Sequence, residues 1–262
     1  MNHTSYFTQT NVYFKKIARI SFREKAWKFV VFAAIIALIV AAVVGENMFT
    51  TYESTKSGFF TIASACIWIG IFNSIQSICK EHEIIRSEYR QGTRISSYIM
   101  ANIRWQFVLC LVQSMVIFAI CVGFIDFNSD GIVTSAYVEY FVTMFLLTFG
   151  SAVLGIMISS ISGNPTTAMT IMPFVLILQL IMSGVLFDLS GWSENIAYIT
   201  YSKWGMSAFG SIADLNSSEF PLQISEAFPD VVRLETESCY DHEVSNLAVS
   251  WGWCLGITVF CA

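Results

Sequence analysis

Residues 77–94 read SICKEHEIIRSEYRQGTR, the one densely charged stretch between two long apolar runs, 59–78 before it and 95–124 after it. Lys80, Glu81, Glu83, Arg86, Glu88, Arg90 and Arg94 carry charge, and His82 titrates. Glu83 and Arg86 stand three apart and Ile85 and Tyr89 four apart, spacings that bring side chains together on a helix surface. The segment 80–94 therefore reads as a short amphipathic helix with one apolar edge. A solvated loop is the plainer alternative, although a plain connector needs only a few polar turn residues. The sharper reading is a docking helix through which something in the cytoplasm pushes on the membrane part.

The flanking runs set the fold class. The 262-residue chain is 55% hydrophobic and 13% charged, with mean hydropathy +0.62, whereas a soluble domain is about a quarter charged. Runs near 20 apolar residues cross a bilayer, because a helix rises about 1.5 Å per residue through roughly 30 Å of hydrocarbon. Spans are expected at 27–44, 58–78, 95–124, 135–161 and 166–187. The last run, 247–262, has 16 residues and reads as a sixth span cut before its natural end. Before the first span, residues 1–25 interleave Tyr13, Phe14, Ile17 and Ile20 with Lys15, Lys16, Arg19 and Arg23, the pattern of an amphipathic helix on an anionic membrane face. This segment is too long and aromatic for the start of a cleaved signal peptide. The expectation is an all-α, polytopic six-span bundle forming a single domain over 1–262.

Lysine and arginine orient it. Of 14 such residues, six lie at 15–28 and five at 80–104; the others are Lys56, Lys203 and Arg233. The positive-inside rule puts the N-terminus and 80–94 in the cytoplasm and the long segment 188–246 outside the plasma membrane.

Several function classes drop out. A net charge of −5 argues against a nucleic-acid partner. Seven cysteines make no disulfide framework, and all but Cys239 lie in or beside apolar runs; Cys239 is either a free thiol or an interchain bridge. No His/Cys cluster has metal-ligand spacing, and no cofactor site is expected in this chain. His3, His82 and His242 all lie outside the spans, which excludes an intramembrane Ser–His protease. Ion-coupled carriers need ionisable groups at mid-membrane, and Glu139, in the first turn of span four, belongs to the outer interface. No GxxxxGK[ST] occurs, so the chain has no P-loop of its own. A transport subunit driven by a separate ATPase fits best; it is not itself an enzyme.

The residues also carry a resemblance. Lys80-Glu81-His82-Glu83-Ile84-Ile85-Arg86-Ser87-Glu88, then Gly92 and Ser97-Tyr98, resembles the E-R-x-I-x-x-R-E…G…Y segment of type-2 ABC exporters, especially their G subfamily. Met182-Ser183-Gly184-Val185-Leu186-Phe187 with Ile199-Thr200-Tyr201-Ser202-Lys203-Trp204-Gly205-Met206-Ser207-Ala208 resembles a second segment of that family. His82 departs from it, standing where the family usually has Arg. The resemblance implies a connecting helix over 1–25 and a coupling helix over 80–90 that meets a nucleotide-binding domain carrying ATP and Mg. It also implies a homo- or heterodimer of transmembrane domains around a cavity lined by spans two and five, hydrophobic or amphipathic substrates, and re-entrant helices with a cap over 188–246. Val185 and Leu186 would match the apolar plug beneath the exit.

On a 3.6-residue period Cys66, Ile69 and Asn73 share one face of span two, and Pro173, Ile177, Leu180 and Gly184 one face of span five. These faces are the candidate cavity walls. Asn73 and Gln179 are the polar groups that stand out, as interhelical hydrogen bonds or as substrate contacts. Trp192, Tyr198, Tyr201 and Trp204 read as an interfacial belt. The rival function is a membrane-embedded sensor or immunity subunit whose segment 188–246 binds an external ligand without translocation.

Overall fold

The computed structural model describes residues 5–45, 48–90, 93–127, 131–187, 189, 191–217 and 237–262. Gly92 and much of the segment 188–246, including 218–236, lie outside the described residues. Helix α1, Tyr6–Arg23, turns at Lys25 (φ 63°) into α2, Trp27–Val44. The third helix, α3, spans Tyr52–Ser74 and is started by a reciprocal Thr51–Ser54 capping box, which satisfies backbone N–H groups the first turn leaves open. A single 3-10 turn, Cys79–Glu81, leads into α4, His82–Arg90. Then come α5, Ile95–Phe124, and α6, Ala136–Ile161. Asn164 accepts from the Thr167 N–H and Pro165 occupies the first turn of α7, Pro165–Ile181. The series closes with α8, Trp192–Ala197, α9, Tyr201–Ile212, and α10, Val244–Cys261.

The described residues hold helices and turns without strands, a polytopic helical bundle. Five helical runs are long and apolar enough to cross a membrane: α2, α3 with its continuation, α5, α6 and α10. The expected boundaries move in two places. Helix α10 starts at Val244 rather than 247 and has 18 residues, so it reaches span length. The short apolar helix is instead α7, at 17 residues. It stops at Ile181 because the chain turns there: Ser183 Oγ donates to the Leu180 carbonyl, Gly184 takes φ 76°, and the Val185 N–H donates back to Ser183 Oγ. Val185 and Leu186 therefore lie on a turn, not on the helix.

The core is the crossing of α3 and α6. Lipid supplies no hydrophobic drive between helices, so close packing of small residues holds them. A Cβ on Gly70 would overlap Ser151 Oγ and the Thr148 carbonyl, and one on Gly155 would overlap Ser74 Oγ. Near the other end of the crossing Phe59 stacks on Tyr140 at 5.5 Å and on Phe209 at 5.2 Å. Phe209 belongs to α9, whose residues are buried apart from the half-buried Lys203. This corrects the interfacial belt. Trp192 is exposed, but Tyr201 is fully buried with its hydroxyl 3.1 Å from Thr258 Oγ1. Trp204 is buried too, stacked on Trp253 at 5.2 Å, its indole N–H donating to the Tyr198 carbonyl. Amphipathic aromatics suit an interface and a polar-satisfied core equally, so composition alone could not separate the two.

Candidate functional site

Helix α4 is clamped on one side and open on the other. Glu88 accepts from the Tyr13 hydroxyl at 2.8 Å and from Lys16 Nζ at 3.0 Å, both on α1. Ile85 packs against the cluster that holds Tyr13, Ile17 and Tyr98, and the rings of Tyr13 and Tyr98 meet edge-on at 5.5 Å. Just before α4, Glu81 accepts from the Tyr98 hydroxyl of α5 at 2.8 Å. Ser159 Oγ of α6 accepts the N–H groups of Ile78 and Cys79 at 3.1 Å each. Three helices thus grip this segment. The other side of α4 carries exposed His82, Glu83, Arg86 and Arg90, with Lys80 exposed before it. Among the described residues none of these cations lies within 4.0 Å of a carboxylate.

The expected apolar edge needs one correction. Ile85 is on it, but its neighbour is Glu88, while Tyr89 is 58% exposed. The two positions i+3 and i+4 differ by one helical step, and the docking of Tyr13 and Lys16 decides which turns inward. Burial pushes the Glu88 carboxyl up, yet the Tyr13 and Lys16 hydrogen bonds and the Lys16 charge outweigh it and hold the group below its ordinary value. Burial raises Tyr13 in turn, which keeps its hydroxyl a donor. The sequence showed Tyr13, Lys16 and Ile17 at helical spacing on α1 but offered no sign that Glu88 was their target.

Asn73 and Gln179 both have interhelical partners, the plainer of the two sequence readings. Asn73 Nδ2 donates to Gln113 Oε1 at 2.5 Å, and Gln113 Nε2 returns to Asn73 Oδ1 and to the Phe29 carbonyl at 3.0 Å. Gln179 Oε1 accepts the Ser202 N–H at 3.2 Å. Glu139 is 1% exposed and accepts three successive backbone N–H groups, from Ile132, Val133 and Thr134, at 2.7–3.0 Å. Those three bonds fix the turn before α6.

The candidate cavity residues separate. Cys66 and Ile69 are buried within the chain, where α3 meets its neighbours, and Asn73 is half-buried. Pro173 is exposed, Ile177 is 52% exposed, and Leu180 is half-buried. The open face of α3 carries Trp68 and Phe72 instead. Val185 packs partly against the core, and Leu186 is exposed. Beside that turn lies a pocket of about 540 Å³ whose lining includes Glu194, Tyr198, Lys203 and Trp204. Lys203 Nζ sits 3.5 Å above the Tyr198 ring, and its burial lowers its pKa.

Apolar spanning helices joined by a clamped, charged helix make this a multi-pass membrane protein. Residues 5–213 match the family model described as ABC-2 type transporter, and the chain belongs to that family. Over 153 residues it is 25% identical to the ABC transporter ATP-binding/permease protein Rv1747 of Mycobacterium tuberculosis, a stretch covering 57% of this chain and 18% of that protein. The chain is a transmembrane component of an ABC transporter.

Proposed function

We propose that the chain is the permease of an ATP-driven exporter that moves a hydrophobic or amphipathic substrate across the plasma membrane. The observation that carries this is the clamped α4, held by Glu88 to α1 with Glu83, Arg86 and Arg90 turned outward. A rigid charged face on a membrane bundle suits a partner that pushes: a nucleotide-binding domain holding ATP and Mg, on another chain or fused. The name of the mycobacterial relative joins those two functions. In this reading α1 is the connecting helix, α4 the coupling helix, and a second transmembrane domain completes the cavity. Its walls are Trp68 and Phe72 of α3 with Pro173, Ile177 and Leu180 of α7; Cys66 and Ile69 support the α3 wall from behind. The N-terminus is cytoplasmic, by the distribution of Lys and Arg.

That orientation has a direct test. A cysteine replacing Arg90 should resist membrane-impermeant maleimide in intact cells and react once the membrane is opened. Reaction from outside would overturn both the orientation and the role of α4.

The gate separates transport from the sensor reading, which the outer pocket beside Lys203 favours. Within this chain Leu186 is exposed and Val185 half-buried, so in the gate reading their methyl groups close the exit against the second transmembrane domain, each methylene buried there contributing about 0.8 kcal/mol. Replacing both by Ala removes several of them. The closed gate should weaken enough to shift its equilibrium roughly ten- to a hundredfold, raising basal ATP turnover or substrate leak. Wild-type behaviour in both assays would reject the gate and favour sensing.

A further inference from the structure

Helix α5 is longer than a bilayer needs. Its 30 residues rise about 45 Å, whereas about 20 residues cross the hydrocarbon. The stretch from Trp105 to Phe124 is enough for that, so Arg104 stands at the rim. At that level a crevice of about 370 Å³ opens between α1, α5 and α6. Phe14 of α1, Phe107 and Val108 of α5 and Phe149 of α6 give it apolar walls, and Asn11 and Arg104 give it a polar end. Phe107 and Val108 follow Arg104 by three and four residues, one helical turn further toward the bilayer. Phe107 meets the Phe149 ring edge-on at 5.4 Å, yet it is 45% exposed and Val108 44%.

Arg104 is the telling residue. It is half-buried, and its Nη1 donates to Asn11 Oδ1 at 3.2 Å. Its other N–H groups have no acceptor among the described residues. The lining of the crevice holds no carboxylate among those residues, and none comes within 4.0 Å of the guanidinium. On α1, Lys15 lies one turn beyond Asn11 and Arg19 two turns beyond, both exposed, which sets further positive charge beside the polar end. Phe22 of α1 rests edge-on against Trp105 at 5.7 Å and holds α1 to this part of α5. A guanidinium with open donors above an apolar groove matches a molecule with an anionic head and a hydrocarbon chain.

We infer that this crevice holds an anionic phospholipid of the bilayer, its phosphate taking the open N–H donors of Arg104 and one acyl chain lying along Phe107, Val108 and Phe149. The planar fork of a guanidinium suits phosphate oxygens. A zwitterionic head would bring an ammonium toward Lys15 and find no carboxylate in the lining, so the net negative lipid is preferred. Any lipid wets an apolar surface; selection by headgroup is what marks a site. The crevice shares no residue with α3 or α7, which keeps it apart from the proposed cavity walls, and lipid binding depends on neither transport nor orientation.

The test is photolabelling of the full chain in phosphatidylcholine vesicles. A trace of phosphatidylglycerol or phosphatidylcholine is added as probe, each with a diazirine near the glycerol end of one acyl chain. The phosphatidylglycerol probe should label the peptide containing residues 103–108 about fivefold more than the phosphatidylcholine probe, the effect of one interfacial cation on an anionic lipid. Arg104→Gln should erase most of that preference. Val108→Trp fills the groove from an exposed position, leaves every charge in place, and should cut phosphatidylglycerol labelling several-fold. This second variant decides should the first fail to fold. Excess glycerophosphoglycerol, the same head without chains, should not compete, because it gains nothing from the groove. Equal labelling by the two probes, a preference retained in Arg104→Gln, unchanged labelling in Val108→Trp, or displacement by the chainless head would overturn the inference.

Discussion

Glu88→Lys should bring ATP-driven transport close to background while the chain still inserts and accumulates. The substitution removes the acceptor of Tyr13 and Lys16 and sets two ammonium groups against each other. Solvent screens the repulsion between these one-third-exposed groups to about 1 kcal/mol, but with both hydrogen bonds gone α4 loses its tie to α1. Stability should suffer far less, because Lys16 and Glu88 are both about one-third exposed and partly exposed pairs contribute only about 0–1 kcal/mol. The combined Lys16→Glu and Glu88→Lys swap should restore much of the activity. Arg86→Glu, on the outward face, should weaken partner binding without loosening α1. Stimulated ATPase activity in vesicles distinguishes these cases, and a fully active single Glu88→Lys variant would reduce α4 to a connector.

The same tie has a pH signature with a definite sign. Glu88 has a lowered folded-state pKa, so its stabilisation is present above the ordinary carboxylate value and is lost as pH falls through the lowered one. Coupling through this group should be flat across neutral pH and fail only under acid conditions.

Gly70→Val should be the most damaging single change to the fold. The new side chain would collide with Ser151 Oγ and the backbone carbonyl of Thr148, and a backbone atom cannot rotate away. The α3–α6 crossing would have to open, at a cost of about 3 kcal/mol or more. Gly123→Val is the control: its Cβ would meet nothing within 4 Å, and a β-branched side chain is tolerated better than glycine in a helix. Thermal unfolding in detergent should separate the two by many degrees. Equal melting would mean that α3 and α6 do not cross as described.

What the sequence could and could not reveal follows from the solvent. Apolar runs locate spans because hydrocarbon demands length, so α2, α3, α5 and α6 are legible directly, and the charge density of 80–94 marks α4. Rotation about each helix axis is another matter. In water a polar side chain marks the outer face; in lipid, Trp68 facing out and Ile69 facing in are both apolar. The period that united Cys66, Ile69 and Asn73 was real, but nothing in it said that the first two point into the protein. Tyr201 and Trp204 were misplaced for the same reason. Small residues carry the missing signal: Gly70 and Ser74 on α3 and Ser151 and Gly155 on α6 mark the seam, recognisable only as a pair. Glu139 escaped because its partners are backbone N–H groups, which no sequence displays.

The central claim is that the outward face of α4 receives an ATP-binding partner. A photo-crosslinking amino acid in place of Arg86, activated in membranes of cells that make the chain with its partners, tests it directly. The account predicts a cross-link to a polypeptide, or to a fused domain, that carries a GxxxxGK[ST] motif, and none from the same amino acid in place of Phe174 on the exposed side of α7. A protein cross-linked efficiently at Arg86 that lacks a nucleotide-binding domain would contradict it.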